Sequence, residues 1–374
     1  MLDSSTYQAI AGVAAERRLP LFGSQKNAYP AIPAQNTAAM SGLATDDWPI
    51  AIDWQQQAFV MQQVTRGELA AAAFLDHRLH AGSAQDRMVK FSTIGEPLPQ
   101  PPPSYIIHSA FCGSTLLARL LDYEGGCLAL KEPHVLTQLA EAKRRLGGTA
   151  RATLLDPRFS RIFGLSLGLI GNRGEAGTLI KPTNFANNLV PEIIHSGARI
   201  LFLYANLNSF LRSIVKRGEE GHVFVRQRWQ AMLAENEPLV NIQPSTAMLY
   251  TDLQISAIIW AQQIDTFQYW LRQSDGQRCA SADFASYRPD PGVFVRSVAK
   301  FLMPGCDAET VLARMHDSAA LDSKTGTERS AVEAADSISV NDEAVIGDVI
   351  GWAQSINFGT PIVLPLAHDV MALR

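Results

Sequence analysis

From residue 105 onward the chain alternates short, nearly continuous apolar runs with longer stretches of helical period. The apolar runs are Tyr105 to His108, Cys127 to Leu130, Thr178 to Ile180, Ala198 to Tyr204 and Arg278 to Ala282. Runs of this length, bounded by turn-forming residues, predict strands buried on both faces. The helical stretches run from about Gly113 to Tyr123, from Val135 to Leu146, within 152–172, and over 184–195 and 207–217. They continue through most of 220–272, from after Pro291 to about Leu302, and near 308–316 and 341–355. The 207–217 stretch separates cleanly. Leu207, Phe210, Leu211, Ile214 and Val215 recur at one-face spacing, while Ser209, Arg212, Ser213 and Lys216 share the opposite stripe. Strand and helix in alternation imply right-handed crossovers. The predicted fold is α/β, a three-layer arrangement with a mostly parallel central sheet and helices on both faces.

The first hundred residues read differently. Residues 1–50, with Pro20, Pro30 and Pro33, suggest an irregular arm. Residues 52–80 read as helical, with Leu69, Ala72, Ala73 and Leu75 among polar neighbours. The PLPQPPPS run ending at Ser104 is a stiff extended spacer, since consecutive prolines cannot continue a helix. The expected organisation is an arm and mainly helical extension over 1–100, then an α/β domain over 101–374 with a helical insertion at about 218–272.

The chemistry concentrates at the carboxyl ends of the predicted strands, where open α/β sheets bind ligands. His108 to Thr115 forms a strand, a small-residue loop and a helix start, which is an anion site: unpaired N–H groups and the helix dipole face the ligand. The loop contributes Ala110, Phe111, Cys112 and Gly113, and Ser114 and Thr115 add hydroxyls at the first turn. Ser114 stands where a P-loop would carry its lysine. Lys131, Glu132 and His134 follow the second run, and Lys181 follows the third. Glu132 or His134 could accept a proton from a substrate hydroxyl. Each lysine taken alone also reads as a solvated surface charge, and Cys112 reads as a buried small residue.

The 374 residues are 47% hydrophobic and 18% charged, with a formal net charge of -4, so no global basic field points to nucleic acid. The four cysteines show no metal-ligand spacing. The N-terminus is a poor signal peptide and no apolar run is long enough to span a bilayer, so the expectation is a cytoplasmic protein.

From Ser104 to the C-terminus, the chain resembles the sulfotransferases that use 3′-phosphoadenosine 5′-phosphosulfate (PAPS), particularly bacterial members. The resemblance rests on IIHSAFCGSTLLARLLD, LALKEPHVL, LIKPTNFANNLVPEIIHSGARILFLYAN and ADFASYRPDPGVFVRSVAKFL in that order, with weaker echoes in SKTGTER and GWAQ. It implies a P-loop-like fold and a sulfuryl transfer that needs no metal. The acceptor would be a hydroxyl or amine on a small molecule, glycan or peptide. It places residues 110–115 on the donor's phosphosulfate and implies that Lys131 or Lys181 offsets leaving-group charge. Glu132, or His134 as the second choice, would be the base, with Arg212 and Ser213 on the 3′-phosphate. The family's loop cation falls at Phe111, and the arginine of its 3′-phosphate site falls at Ala205. Lys131, Lys181, Arg212, Lys216 and Lys324 are the cations available in their place. Two competing functions are a degenerate member of the fold that binds a nucleotide or partner without transfer, and a P-loop kinase. Acceptor choice would lie in 1–100 and 218–272, where Trp229, Trp260 and Trp270 read equally as core or as stacking groups.

Overall fold

The computed structural model describes residues 43–44, 46–76, 79, 86–95, 102–171, 173, 177–235, 249–274, 276–313, 338–356 and 362–373. The central sheet is built from β4 (Ser104–His108), β5 (Cys127–Lys131), β6 (Gly177–Lys181), β7 (Ile200–Tyr204) and β8 (Cys279–Asp283). All neighbours are parallel, in the order β5-β6-β4-β7-β8. These are the five apolar runs of the sequence, and all but the ends of β6 and β8 are buried.

Alternation along the strands divides the apolar residues into two cores. Tyr105, Ile107, Leu128, Leu130, Ile180, Ile200, Phe202 and Tyr204 face one side. Ile106, Cys127, Ala129, Leu179, Leu201, Leu203, Ala280 and Ala282 face the other. The second face is covered by α2 (Ser114–Leu121), through Leu117 and Leu121, and by α9 (Pro291–Leu302), through Phe294 and Val298. The first face is covered by α3 (His134–Arg145), α4 (Pro157–Ile170), α6 (Leu207–Lys216) and α8 (Asp252–Gln273). The remaining helices are α1 (Arg66–Ala71), α5 (Val190–His195), α7 (Glu219–Ala234), α10 (Ala308–Ala313) and α11 (Val340–Ser355). The predicted helix over 184–195 begins as a 3-10 turn, Asn184–Leu189, before α5. No helix among the described residues is long and apolar enough to cross a membrane.

The helical reading of 52–80 is corrected. β1 (Asp47–Asp53), β2 (Ala58–Gln63) and β3 (Arg87–Lys90) form an antiparallel sheet in sequence order, and the six-residue α1 is the helix there. In β2, Phe59 and Met61 are buried while Val60 and Gln62 are half-buried. Period two, in a run too short to stand out among its glutamines, is the true pattern. The strands pack beside α3: the Ile52 N–H donates to Gln138 Oε1 (2.7 Å), and Gln138 Nε2 donates to the Ile52 carbonyl (3.2 Å). The segment after α1 reaches the end of β5. Leu75 N–H donates to the Lys131 carbonyl (2.7 Å), and His134 N–H donates to the Leu75 carbonyl (2.9 Å).

One topological feature positions the site. The chain enters the sheet at its centre, on β4, builds β5 and β6 to one side, and then crosses to β7 and β8 on the other. The helix after β4 packs on one face and the helix after neighbouring β7 packs on the opposite face. Their departure in opposite directions opens a crevice at the carboxyl ends of these strands.

Candidate functional site

The loop between β4 and α2 carries three left-handed residues, Ala110 (φ 68°), Phe111 (φ 51°) and Gly113 (φ 71°). Two of these are not glycine, a costly arrangement that the surroundings must hold in place. The His108 imidazole does part of this. Its Nδ1 accepts from Ala110 N–H (3.1 Å), which leaves Nε2–H to donate to the Pro182 carbonyl (3.1 Å). Burial, and secondarily the charge of Lys181, hold His108 well below the usual histidine range, so the ring is neutral. Asn187 Nδ2 donates to the His108 carbonyl (3.1 Å), Gln263 Nε2 to the Ser109 carbonyl (3.3 Å), and Ser109 N–H to the Leu203 carbonyl (3.1 Å). With the carbonyls of His108 and Ser109 tied down, the loop leads into α2, whose first turn has no side-chain cap. Gly113 admits no side chain: a Cβ there would lie 2.1 Å from the Phe284 ring, which is stacked on Tyr287 (5.2 Å between centroids, 8° between planes).

Glu132 and Lys181 meet beside this loop. They are brought together by the register of β5 and β6, which pairs Lys131 with Lys181. Glu132 has a left-handed backbone (φ 58°), and its N–H donates to the Lys181 carbonyl (2.7 Å). The side chains form an ion pair in which Lys181 is buried and Glu132 is partly open, at 20% exposure. Lys181 is near enough for its charge to be felt at both His108 and Cys112. Lys131 goes elsewhere. It is fully buried, donates to the Ala70 carbonyl (2.8 Å) and lies 3.8 Å from Asp122. Burial lowers its pKa, and Asp122 opposes the shift. Of the two lysines that the sequence left open, Lys181 stands at the loop, while Lys131 anchors α1 and the end of α2. His134 is the first residue of α3 and is half-buried.

Cys112 is fully buried, with its Sγ–H directed at the Leu203 carbonyl (3.4 Å). Burial pushes its thiol up to about 11, so it is protonated near neutrality and unsuited to attack. Phe111 packs against Phe210 (5.7 Å) and edge-on against Phe224 (4.8 Å). On the outer stripe of α6, Arg212 pairs with Glu343 of α11, Ser213 Oγ donates back to the Ser209 carbonyl (2.9 Å), and Lys216 is exposed. Ala205 is buried, and its carbonyl accepts from Trp260 Nε1 (2.8 Å). Trp229, Trp260 and Trp270 all belong to the core. Lys324 lies outside the described residues. Among the described residues no group of three or more His, Cys, Asp or Glu could hold a metal ion.

No protein-family model matches this chain, and no curated protein matches it at a significant level. Among solved structures the chain is similar to a sulfotransferase from Alicyclobacillus acidocaldarius, at 13% identity over 68% of this chain and 94% of that one, with a TM-score of 0.35. It is also similar to the sulfotransferase domain from the curacin biosynthetic pathway, at 15% identity over 70% of this chain and 94% of that one, with a TM-score of 0.36.

Several residues of the site escaped the sequence reading. Gln263 and Asn187 carried a signal: paired polar residues, Gln262-Gln263 and Asn187-Asn188, interrupt apolar stretches that are buried in the fold. Phe284 and Tyr287 appeared only as part of a motif.

Proposed function

We propose that this chain is a sulfotransferase that moves a sulfuryl group from PAPS to a hydroxyl or amine. The observation that carries the reading is the Glu132–Lys181 pair, placed at adjacent strand ends beside an uncapped helix N-terminus. The fit to an anionic donor rests on two features. The first turn of α2 is without a side-chain cap, and Ser114 and Thr115 bring hydroxyls to that turn.

In this reading the acceptor oxygen or nitrogen attacks sulfur in line, the bond from sulfur to the bridging oxygen breaks, and 3′-phosphoadenosine 5′-phosphate leaves. Glu132 accepts the acceptor's proton. Lys181 holds the Glu132 carboxylate in place and offsets the charge that grows on the bridging oxygen. Catalysis of this type is mostly positioning and electrostatic stabilisation, as in phosphoryl transfer. The acceptor class is left to substrate screening over alcohols, amines, glycans and peptides.

The test is calorimetric titration with 3′-phosphoadenosine 5′-phosphate, with ATP and Mg²⁺ as the comparison. Binding of the bisphosphate supports the proposal, and binding of ATP with no response to the bisphosphate overturns it. A second reading, nucleotide or partner binding without transfer, is favoured by one arrangement: Arg212 is already paired with Glu343 and Ser213 Oγ already donates to the Ser209 carbonyl, both at the surface. Binding without turnover on any acceptor would decide for it.

A further inference from the structure

An oxyanion loop needs positive charge near it, because charge-assisted hydrogen bonds are about twice as strong as neutral ones. This loop has none of its own. From Ser109 to Thr115 the one ionisable side chain is the buried Cys112 thiol, and His108 beneath it is neutral. Before transfer the charge of Lys181 is balanced by Glu132, and it becomes available to the leaving group only as Glu132 takes up the acceptor's proton. Among the described residues, one other cation touches the loop. The Arg217 guanidinium lies over the Phe111 ring, 4.2 Å from its centroid, within the range of a cation–π contact.

Arg217 follows the last residue of α6, and its Nη1 donates to the Ser213 carbonyl (2.8 Å). Among the described residues it has no carboxylate in ion-pair contact. The acidic group that acts on it is Glu220, through space and at an exposed position. Burial lowers its pKa, yet a guanidinium keeps its proton under such conditions. A ring on one face and one committed Nη leave further N–H donors of the fork for a ligand. The ring itself is fixed. Phe111 has a left-handed backbone and is wedged against Phe210 and Phe224, so it offers Arg217 a rigid platform.

We infer that Arg217 supplies the cation of this loop from the end of α6, binding the phosphate or sulfate group held there, and that Phe111 is its positioning residue. The inference rests on the donor reading above. It assigns to two residues on different elements the work of one basic side chain in the loop.

The experiment relocates the charge. Binding of 3′-phosphoadenosine 5′-phosphate and of adenosine 5′-phosphate is measured by calorimetry for the parent chain and for Arg217→Ala, Arg217→Gln, Phe111→Leu and the double variant Phe111→Lys/Arg217→Ala, each checked by thermal melting. Loss of Arg217 should weaken both nucleotides about ten- to hundredfold. Phe111→Leu removes the ring under the guanidinium and should weaken both nucleotides in the same direction as loss of Arg217; a folded Phe111→Leu that binds as the parent does overturns the positioning role. The double variant, with a cation back in the loop, should regain most of the lost affinity, which a purely packing role for Arg217 would not allow. Parent-like binding by a folded Arg217→Gln overturns the inference and leaves the proposed function standing. So does a loss confined to the 3′-phosphorylated nucleotide, or a folded double variant without recovery. A folded parent chain that binds neither nucleotide overturns both.

Discussion

Lys181, the last residue of β6, forms an ion pair with Glu132, the residue that follows β5. The pair joins two neighbouring strand ends, and its carboxylate is the more open partner. A carboxylate held in this way is fixed in direction before any substrate arrives, which is what a general base requires.

Glu132→Gln is therefore expected to keep most of the nucleotide affinity and the hydrogen bond from Lys181. Sulfuryl transfer should fall by about 10²–10⁴-fold. Single-turnover transfer from PAPS, beside a calorimetric titration of the same variant, checks both halves. Unchanged transfer would remove Glu132 as the base and pass the role to His134.

The contact between Gly113 and Phe284 gives a stability prediction. Gly113→Ala places a Cβ 2.1 Å from the ring and forces φ 71° on an alanine. A loss of at least about 2 kcal/mol is expected from strain and displacement together. Adding Phe284→Ala should recover the steric part and leave the backbone part. Urea melts of the two single variants and the double variant separate these as a coupling energy.

His108 predicts a loss of stability in acid. Its folded pKa lies well below its ordinary 6.5, so the unfolded chain takes up a proton that the folded chain refuses. The contribution is present above about pH 6.5 and is lost as pH falls below it. Thermal melts from pH 7 to pH 5 should show a shallower decline in His108→Gln than in the parent. Parallel slopes would mean that the imidazole takes up a proton in the folded state.

Cys112 predicts the opposite limb. Its thiol moves from 9.0 to about 11 in the fold, so the folded state holds its proton longer. The stability this represents is complete below about pH 9 and is lost as pH rises towards 11. Cys112→Ala should reduce the alkaline slope without abolishing transfer. In the native parent, the thiol should resist iodoacetamide at pH 8 until denaturant is added.

The central sheet was legible in the sequence because its strands are buried on both faces, and such strands read as continuous apolar runs. The strands before residue 95 were not, since Phe59 and Met61 alternate with half-buried residues over only a few positions. The choice between Lys131 and Lys181 was not legible either. Both follow an apolar run and stand in register on adjacent strands. What separates them is the Ala70 carbonyl and Asp122, which reach Lys131 from other elements. The stack of Arg217 on Phe111 joins residues more than a hundred positions apart, which no local pattern encodes.

Leu75 gives the Glu132 turn a dependence on distant sequence. Its N–H and its carbonyl are shared between Lys131 and His134, the residues on either side of Glu132 and Pro133. A chain begun at Ser104 would keep every strand of the central sheet and still leave the Lys131 carbonyl and the His134 N–H without these partners. The turn that aims the carboxylate is in this sense a splint made of two pieces of chain, and only one of them belongs to the sheet.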